Sequence, residues 1–212
     1  MRPRIALSLS TRIEPHTLHR IDTDLIEVRL DLIHGAEPDW VHKITTSFPG
    51  PVILTLRSHD EGGHFTGTIA EWSDIISRYR GICDYIDIEK RFFKIASDIH
   101  RTGDEEVLAS CHISAMPDEN SLENLYNQLI SYGDIAKIAV APGDENDLLR
   151  FASFTVSAPK PIITSIMGKK FSWARPFLVL LGSSWTYCHS GEEAAAGQYH
   201  VDDMKKIFSL LT

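Results

Sequence analysis

Apolar, β-branched runs return along this chain roughly every 20 to 30 residues, each followed by a polar or turn-like stretch and then by helical spacing. Strands are expected at 4–10 (RIALSLS), 25–31 (LIEVRLD), 51–57 (PVILTLR), 85–89 (YIDIE), 107–112 (VLASCH), 136–141 (AKIAVA), 161–167 (PIITSIM) and 183–188 (SSWTYC). Between them, 69–81, 91–101, 121–133 and 145–154 carry apolar residues at three and four spacing, which predicts amphipathic helices. Eight strands alternating with helices favour a closed (β/α)₈ barrel over an open doubly wound sheet, although about 250 residues is typical of such barrels. The expectation is one domain spanning residues 1–212. LSLSTRIEP, at the first strand's end, lacks G-x-G-x-x-G, which weakens a dinucleotide-binding reading.

Composition removes other classes. A chain of 212 residues with 43% hydrophobic content can bury a full core. It contains no apolar run of about 18 residues, and the apolar part of MRPRIALSLS is too brief for a signal peptide, so a cytoplasmic protein without a membrane partner is expected. Cys83, Cys111 and Cys188 are odd in number and far apart, which suggests buried free thiols in a reducing compartment. A net charge of −8 without a Lys/Arg run offers nucleic acid no footprint.

The second strand carries the first chemical question. In DLIEVRLDLI, Glu27, Arg29 and Asp31 alternate with Val28, Leu30 and Leu32, so three charges share one face while the other is apolar. A solvated edge strand is the bland explanation. In a barrel, however, inward positions near the carboxyl ends of the strands build the active site. Arg57 closes strand three, His112 closes strand five, and Lys137 shares its face of strand six with Ala139 and Ala141. A buried lysine beside other cations can have its pKa lowered enough to attack a ketone and form a Schiff base. His112 would then shuttle protons in its ordinary range, with the Glu61 carboxylate fixing its tautomer. The ten histidines do not read as a metal centre, since no H-E-x-x-H occurs and His59 and His64 lie five apart in a loop.

The strings IEVRLD, LRSHDEGGHFTG, SCH, DIAKIAV and GQ, in this order, resemble type I 3-dehydroquinate dehydratase over nearly the whole chain. The resemblance implies a (β/α)₈ barrel that removes water from 3-dehydroquinate to give 3-dehydroshikimate, a step toward chorismate. It implies no metal or organic cofactor, a small-molecule partner only, and a homodimer. Carried over by position, Lys137 matches the Schiff-base lysine, His112 the general acid and base, and Glu61 their acidic partner. Glu27, Arg29 and Arg57 match residues that hold the substrate's hydroxyls and order the site. Arg175 matches the arginine that grips the substrate carboxylate, Gln198 the glutamine of the closing loop, and Ser8 a substrate contact at the end of strand one. This chain departs from the family pattern at Ala194, where a substrate-binding serine is usual, and at Ala196, Phe171 and Ala174, where proline, glycine and serine are usual. An unrelated Schiff-base aldolase, or a catalytically weakened barrel that binds a metabolite, stays open at this stage.

Overall fold

The structure, a computed structural model, describes residues 2–96 and 104–212. Its strands are β1 (Ile5–Leu9), β2 (Leu25–Arg29), β3 (Val52–Thr55), β4 (Tyr85–Glu89), β5 (Glu106–Ile113), β6 (Ile135–Val140), β7 (Ile162–Ile166), β8 (Thr186–His189) and the two-residue β9 (Tyr199–His200). The longer helices are α1 (Pro38–Ser47), α2 (Ile69–Ser77), α3 (Glu119–Ile130), α4 (Glu145–Ser157), α5 (Arg175–Leu180) and α6 (Val201–Leu211). All eight expected strands are present within a few residues of their expected bounds. Part of the helix expected over 91–101 lies outside the described residues. Three helices were not anticipated. The first, α1, ends in Ile-Thr-Thr-Ser, a weak helix former. The six residues of α5 are too few to show a period. By contrast, α6 does show one, burying Val201, Met204 and Phe208.

The strand order is β7-β6-β5-β4-β3-β2-β1-β8-β9, with every pairing parallel. The sheet therefore curls into the expected barrel with one difference, because β7 and β8 share no continuous ladder. At that seam Ser184 N–H donates to Ile162 O at 2.8 Å, and Ser183 Oγ accepts from Thr164 N–H at 3.0 Å.

Alternation divides the strands into an outer apolar shell and a two-layered interior. Outward residues such as Ile26, Val28, Leu54, Ile86 and Ile88 pack with Val41, Ile44 and Trp72 of α1 and α2. Across the barrel, Ile138, Val140 and Ile162 pack with Leu122, Leu129 and Phe151 of α3 and α4. Inward residues at the amino ends form an apolar plug of Ala6, Leu25, Ile53, Leu108, Ile135, Ile163, Trp185 and Tyr187. Two residues further along the same faces stand Ser8, Glu27, Thr55, Asp87, Ser110 and Lys137, all buried. Water is excluded below them by the plug, so they pair with one another and with side chains reaching in from the carboxyl ends, such as Arg57 and Gln198.

A repeated clamp sets the amino ends in register. Asp24, Asp84 and Asp134 precede β2, β4 and β6, and their N–H groups donate to Ile5 O, Val52 O and Val107 O of the preceding strands. Their carboxylates accept the N–H groups of the same Ile5, Val52 and Val107 at 2.9, 2.8 and 2.7 Å. Ser184 occupies the equivalent position before β8, with its N–H on Ile162 O. A strand residue's N–H and C=O project to the same side, so the Ile162 N–H also faces β8. Ser184→Asp is therefore expected to complete a fourth clamp, adding about 1 kcal/mol and raising Tm by roughly 2–4 °C. Asp84→Ala should lower Tm by a similar amount. Thermal melts of the two variants check both signs.

Candidate active site

Lys137 stands in the polar layer with 4% of its surface exposed, and three groups surround its ammonium. Asp87 Oδ2 lies 2.8 Å from Nζ, Glu27 Oε1 lies 3.5 Å away, and the centroid of the Tyr187 ring is at 4.2 Å. The sequence-based expectation was a lysine whose pKa is lowered by neighbouring cations. Burial does press in that direction and Arg57 adds to it, but Asp87, then Tyr187 and Glu27, outweigh them and hold Lys137 above its ordinary value. It rests as an ammonium. Asp87 is correspondingly far below the usual carboxylate range, because Arg57 and Lys137 overcome the penalty of burial.

Arg57 organises the carboxylates around this point. Its Nη1 donates to Glu89 Oε1 at 3.0 Å, to Ser110 Oγ at 3.1 Å and to Glu61 Oε2 at 3.4 Å, and its Nη2 donates to Asp87 Oδ2 at 2.9 Å. Ser110 passes its own hydroxyl proton toward Asp87 Oδ1 at 2.5 Å. Glu89 also accepts from the Ser58 N–H at 2.7 Å and the Ser58 hydroxyl at 2.5 Å, which pins the start of the following turn. A guanidinium so committed orders the site more than it reaches for a ligand.

Glu61 and His112 form the second unit. Oε2 of Glu61 lies 2.8 Å from His112 Nδ1 and accepts the His112 backbone N–H at 3.0 Å. Burial raises Glu61 to about 8; Arg57 pulls against this, while Glu89 and Asp87 reinforce it. His112 is held well below its ordinary value by burial, then by Arg57 and Lys137, with Asp87 opposing. The expectation that His112 titrates in its ordinary range is thereby corrected. Around neutral pH the pair carries one shared proton between carboxyl and imidazole, and its loss leaves Nδ1–H on the carboxylate and a free Nε2 lone pair.

Arg175 differs from every other buried cation here. It is 4% exposed, its Nη2 donates to Ala196 O at 3.2 Å, and its Nε has no hydrogen-bond partner. Burial brings it down to about 10, against the opposing pull of Cys188, Glu193 and Tyr199. Such a guanidinium has the charge and free donors to hold an anion, and its fork suits a carboxylate. The segment 190–198 covers it. Arg29 Nη1 donates to Ala194 O at 3.2 Å, Ala194 N–H donates to Gln198 Oε1 at 3.0 Å, and Gln198 Nε2 reaches Ser8 Oγ at 3.4 Å. Ser8 and Thr55 in turn donate to the two oxygens of Glu27 at 2.6 and 2.9 Å. Gly197, at φ 81°, lets this lid press on Gly168 O, since a Cβ there would sit 2.4 Å from that oxygen.

Lys137, His112, Arg175, Tyr187, Met167 and Gln198 are among the residues lining a cavity of about 70 Å³ at the carboxyl ends of the strands. Glu27, Arg29 and Arg57 also line it. Ser8 and Glu61 stand one contact behind, through Glu27 and His112. Residues that the sequence reading did not assign to the site are Asp87, Glu89, Ser110, Thr55 and Tyr187. The alternation in YIDIE matched that in IEVR and would have flagged Asp87 and Glu89. Among the described residues, no group of three or more His, Cys, Asp or Glu side chains is arranged to hold a metal ion.

The chain is similar to known proteins of one family over nearly its whole length. A sequence model of the family described as Type I 3-dehydroquinase matches residues 9–212. A 3-dehydroquinate dehydratase of Methanospirillum hungatei JF-1 is 39% identical over 209 residues, covering 99% of this chain and 81% of that one. One from Methanoregula boonei is 36% identical over 209 residues, covering 99% of this chain and 100% of that one. The crystal structure of 3-dehydroquinate dehydratase from Geobacillus kaustophilus HTA426 superposes with a TM-score of 0.87 at 25% identity, covering 99% and 91% of the two chains.

The shared proton of the Glu61–His112 pair is directly observable. In ¹⁵N spectra the His112 ring is expected to show one transition near pH 8, and Glu61→Gln should remove it. A lone transition near the ordinary histidine value of about 6.5 would contradict the shifts argued above.

Proposed function

Because this chain belongs to the type I 3-dehydroquinase family, whose reaction is the dehydration of 3-dehydroquinate in the shikimate pathway, we propose that it works through a Schiff base on Lys137. The observation that carries the reading is the pairing, across one small cavity, of an ammonium held by Asp87 and an unpaired buried Arg175. One end of a keto acid meets the lysine nitrogen while its carboxylate satisfies a guanidinium that, among the described residues, forms no ion pair.

The raised pKa of Lys137 means that its ammonium must first hand one proton to a base in the cavity, the role that suits the free Nε2 of His112, before the amine lone pair attacks the ketone. That proton then returns to the departing hydroxyl. A protonated amine and a ketone give an iminium and water, so the positive charge that starts on the nitrogen is still there at the end. Asp87 and the face of Tyr187 suit both states, and no charge has to leave the low-dielectric interior. Both hydrogens that the nitrogen loses depart in the water. The iminium then draws electrons from C2, and His112 removes the C2 proton through the nitrogen not held by Glu61. The enamine expels the C1 hydroxyl as His112 returns that proton. Hydrolysis of the new iminium releases 3-dehydroshikimate and restores Lys137.

The other residues take places that fit their contacts. Arg175 clamps the carboxylate, exchanging the Ala196 carbonyl for a charged partner. Glu27, held by Ser8 and Thr55, and Arg29, held by Asp31, meet the ring hydroxyls, with Gln198 closing over them. Arg57 orders Glu61, Asp87 and Glu89. The family reading extends to a cytoplasmic homodimer, and the exposed Trp173, Phe177, Leu180 and Leu181 support a self-contact on that face.

Borohydride added with substrate or product is expected to inactivate the protein and leave a ring-derived secondary amine on Lys137, read by peptide mass analysis. An unmodified Lys137 in active protein would sink the imine. His112→Ala should lower turnover by at least ~10²-fold, whereas chelators should leave the wild type unchanged. Ala194→Ser supplies a hydroxyl beside the clamp and is expected to lower KM by roughly 5- to 30-fold; steady-state kinetics read the change.

A further inference from the structure

Asp31 is the one charge of the strand-two face to which this chemistry gives no task beyond holding Arg29. It lies two residues beyond the end of β2, and its carboxylate has no exposed surface. Oδ1 accepts from Arg29 Nε at 2.8 Å and from the Arg57 backbone N–H at 3.3 Å. Oδ2 accepts from Arg29 Nη2 at 2.7 Å and from the His64 backbone N–H at 3.2 Å. The two backbone donors bracket the turn that carries Glu61. The two side-chain donors belong to the arginine whose third nitrogen holds the lid at Ala194 O.

We infer that Asp31 is a positioning residue that couples closure of the 190–198 lid to the placement of the Glu61–His112 pair. The physical reason is the cost of a buried anion. Burial presses Asp31 toward protonation, and Arg29 together with the backbone N–H groups of His64 and Arg57 holds it ionised. If Arg29 swings out after an opening lid, the carboxylate loses both charge-assisted bonds at once, and two backbone donors alone are poor compensation. It must then protonate or move toward water, and either change releases the turn at Arg57 and His64. Glu61 travels with that turn. A closed lid therefore favours an assembled acid–base pair, and an assembled pair favours a closed lid, since such a coupling acts equally in both directions. The pair is complete when substrate is enclosed and loosens when product must leave.

The kinetic consequence rests on the proposed roles of Glu61 and His112, whereas the structural coupling does not. Hydrogen exchange followed by mass spectrometry on residues 59–64 and 192–197 separates the two, measured in wild type, Asp31→Asn and Arg29→Lys, with and without 3-dehydroshikimate. In the wild type, product is expected to protect both segments in parallel. Asp31→Asn should speed exchange in both, and product should then protect the lid without protecting the turn. Its kcat is expected to fall roughly 10- to 100-fold, the scale of a misplaced acid–base group. Arg29→Lys loses the two-pronged hold on Asp31 and should lower kcat as well as raise KM, and adding Asp31→Asn to it should lower kcat by less than the same substitution does in the wild type. Faster exchange confined to one segment, an unchanged kcat, or full additivity of the two substitutions would each overturn the coupling. Should Asp31→Asn lose its fold by circular dichroism, the wild type decides, because product protection of the lid alone is incompatible with the coupling. Failure to trap Lys137 with borohydride would instead defeat the imine reading, and the exchange data would still judge Asp31.

Discussion

The contact between Lys137 and Asp87 sets the terms for everything around it. An ammonium and a carboxylate facing each other inside a barrel have no water to fall back on, and an unpaired charge at that depth would cost several kcal/mol. Each charge therefore demands a partner, and each partner demands another. Asp87 is shared with Arg57, Arg57 with Glu89 and Glu61, Glu61 with His112, while Glu27 on the far side of Lys137 is held by Ser8 and Thr55. The chain of demands runs through strands β1 to β6, and it fixes the rotamers of residues brought together from positions over one hundred residues apart.

Arg175 is the exception that gives the network its purpose. Every other guanidinium of the site has a carboxylate, yet this one, equally buried, has only a backbone carbonyl from the lid. The protein bears the desolvation of that cation, and on the proposed reading an anionic keto acid relieves it. The same reading reconciles an acidic protein with an anionic substrate, since the local field of an arginine without an ion-pair partner in a cleft can outweigh a net charge of −8 spread over the surface.

The ionisation states follow from placement in ways that residue type alone did not reveal. A lysine flanked by arginines suggested a depressed pKa, but strand β4 inserts Asp87 between them and reverses the sign. A histidine at a strand end suggested an ordinary titration, but burial among cations suppresses it and passes the proton to Glu61. Both results come from distances of a few ångströms, where Coulomb energies change faster than any sequence rule can follow.

The spacing of apolar runs determined the barrel, because only parallel strands joined by helices satisfy a chain that alternates periods of two and about 3.6 residues. The alternation within those runs also determined which face of each strand looks inward, so Glu27, Arg29, Arg57, His112 and Lys137 were legible as neighbours before any coordinate. Asp87 and Glu89 obeyed the same rule in YIDIE and were equally legible. Other features were not. The seam between β7 and β8, the seating of Gly197 on Gly168, the solitary state of Arg175 and the four bonds of Asp31 depend on how segments distant in sequence meet. Periodicity encodes the direction in which a side chain points, a property of its own strand; what it finds there is a property of the closed barrel, and only the tertiary structure decides it.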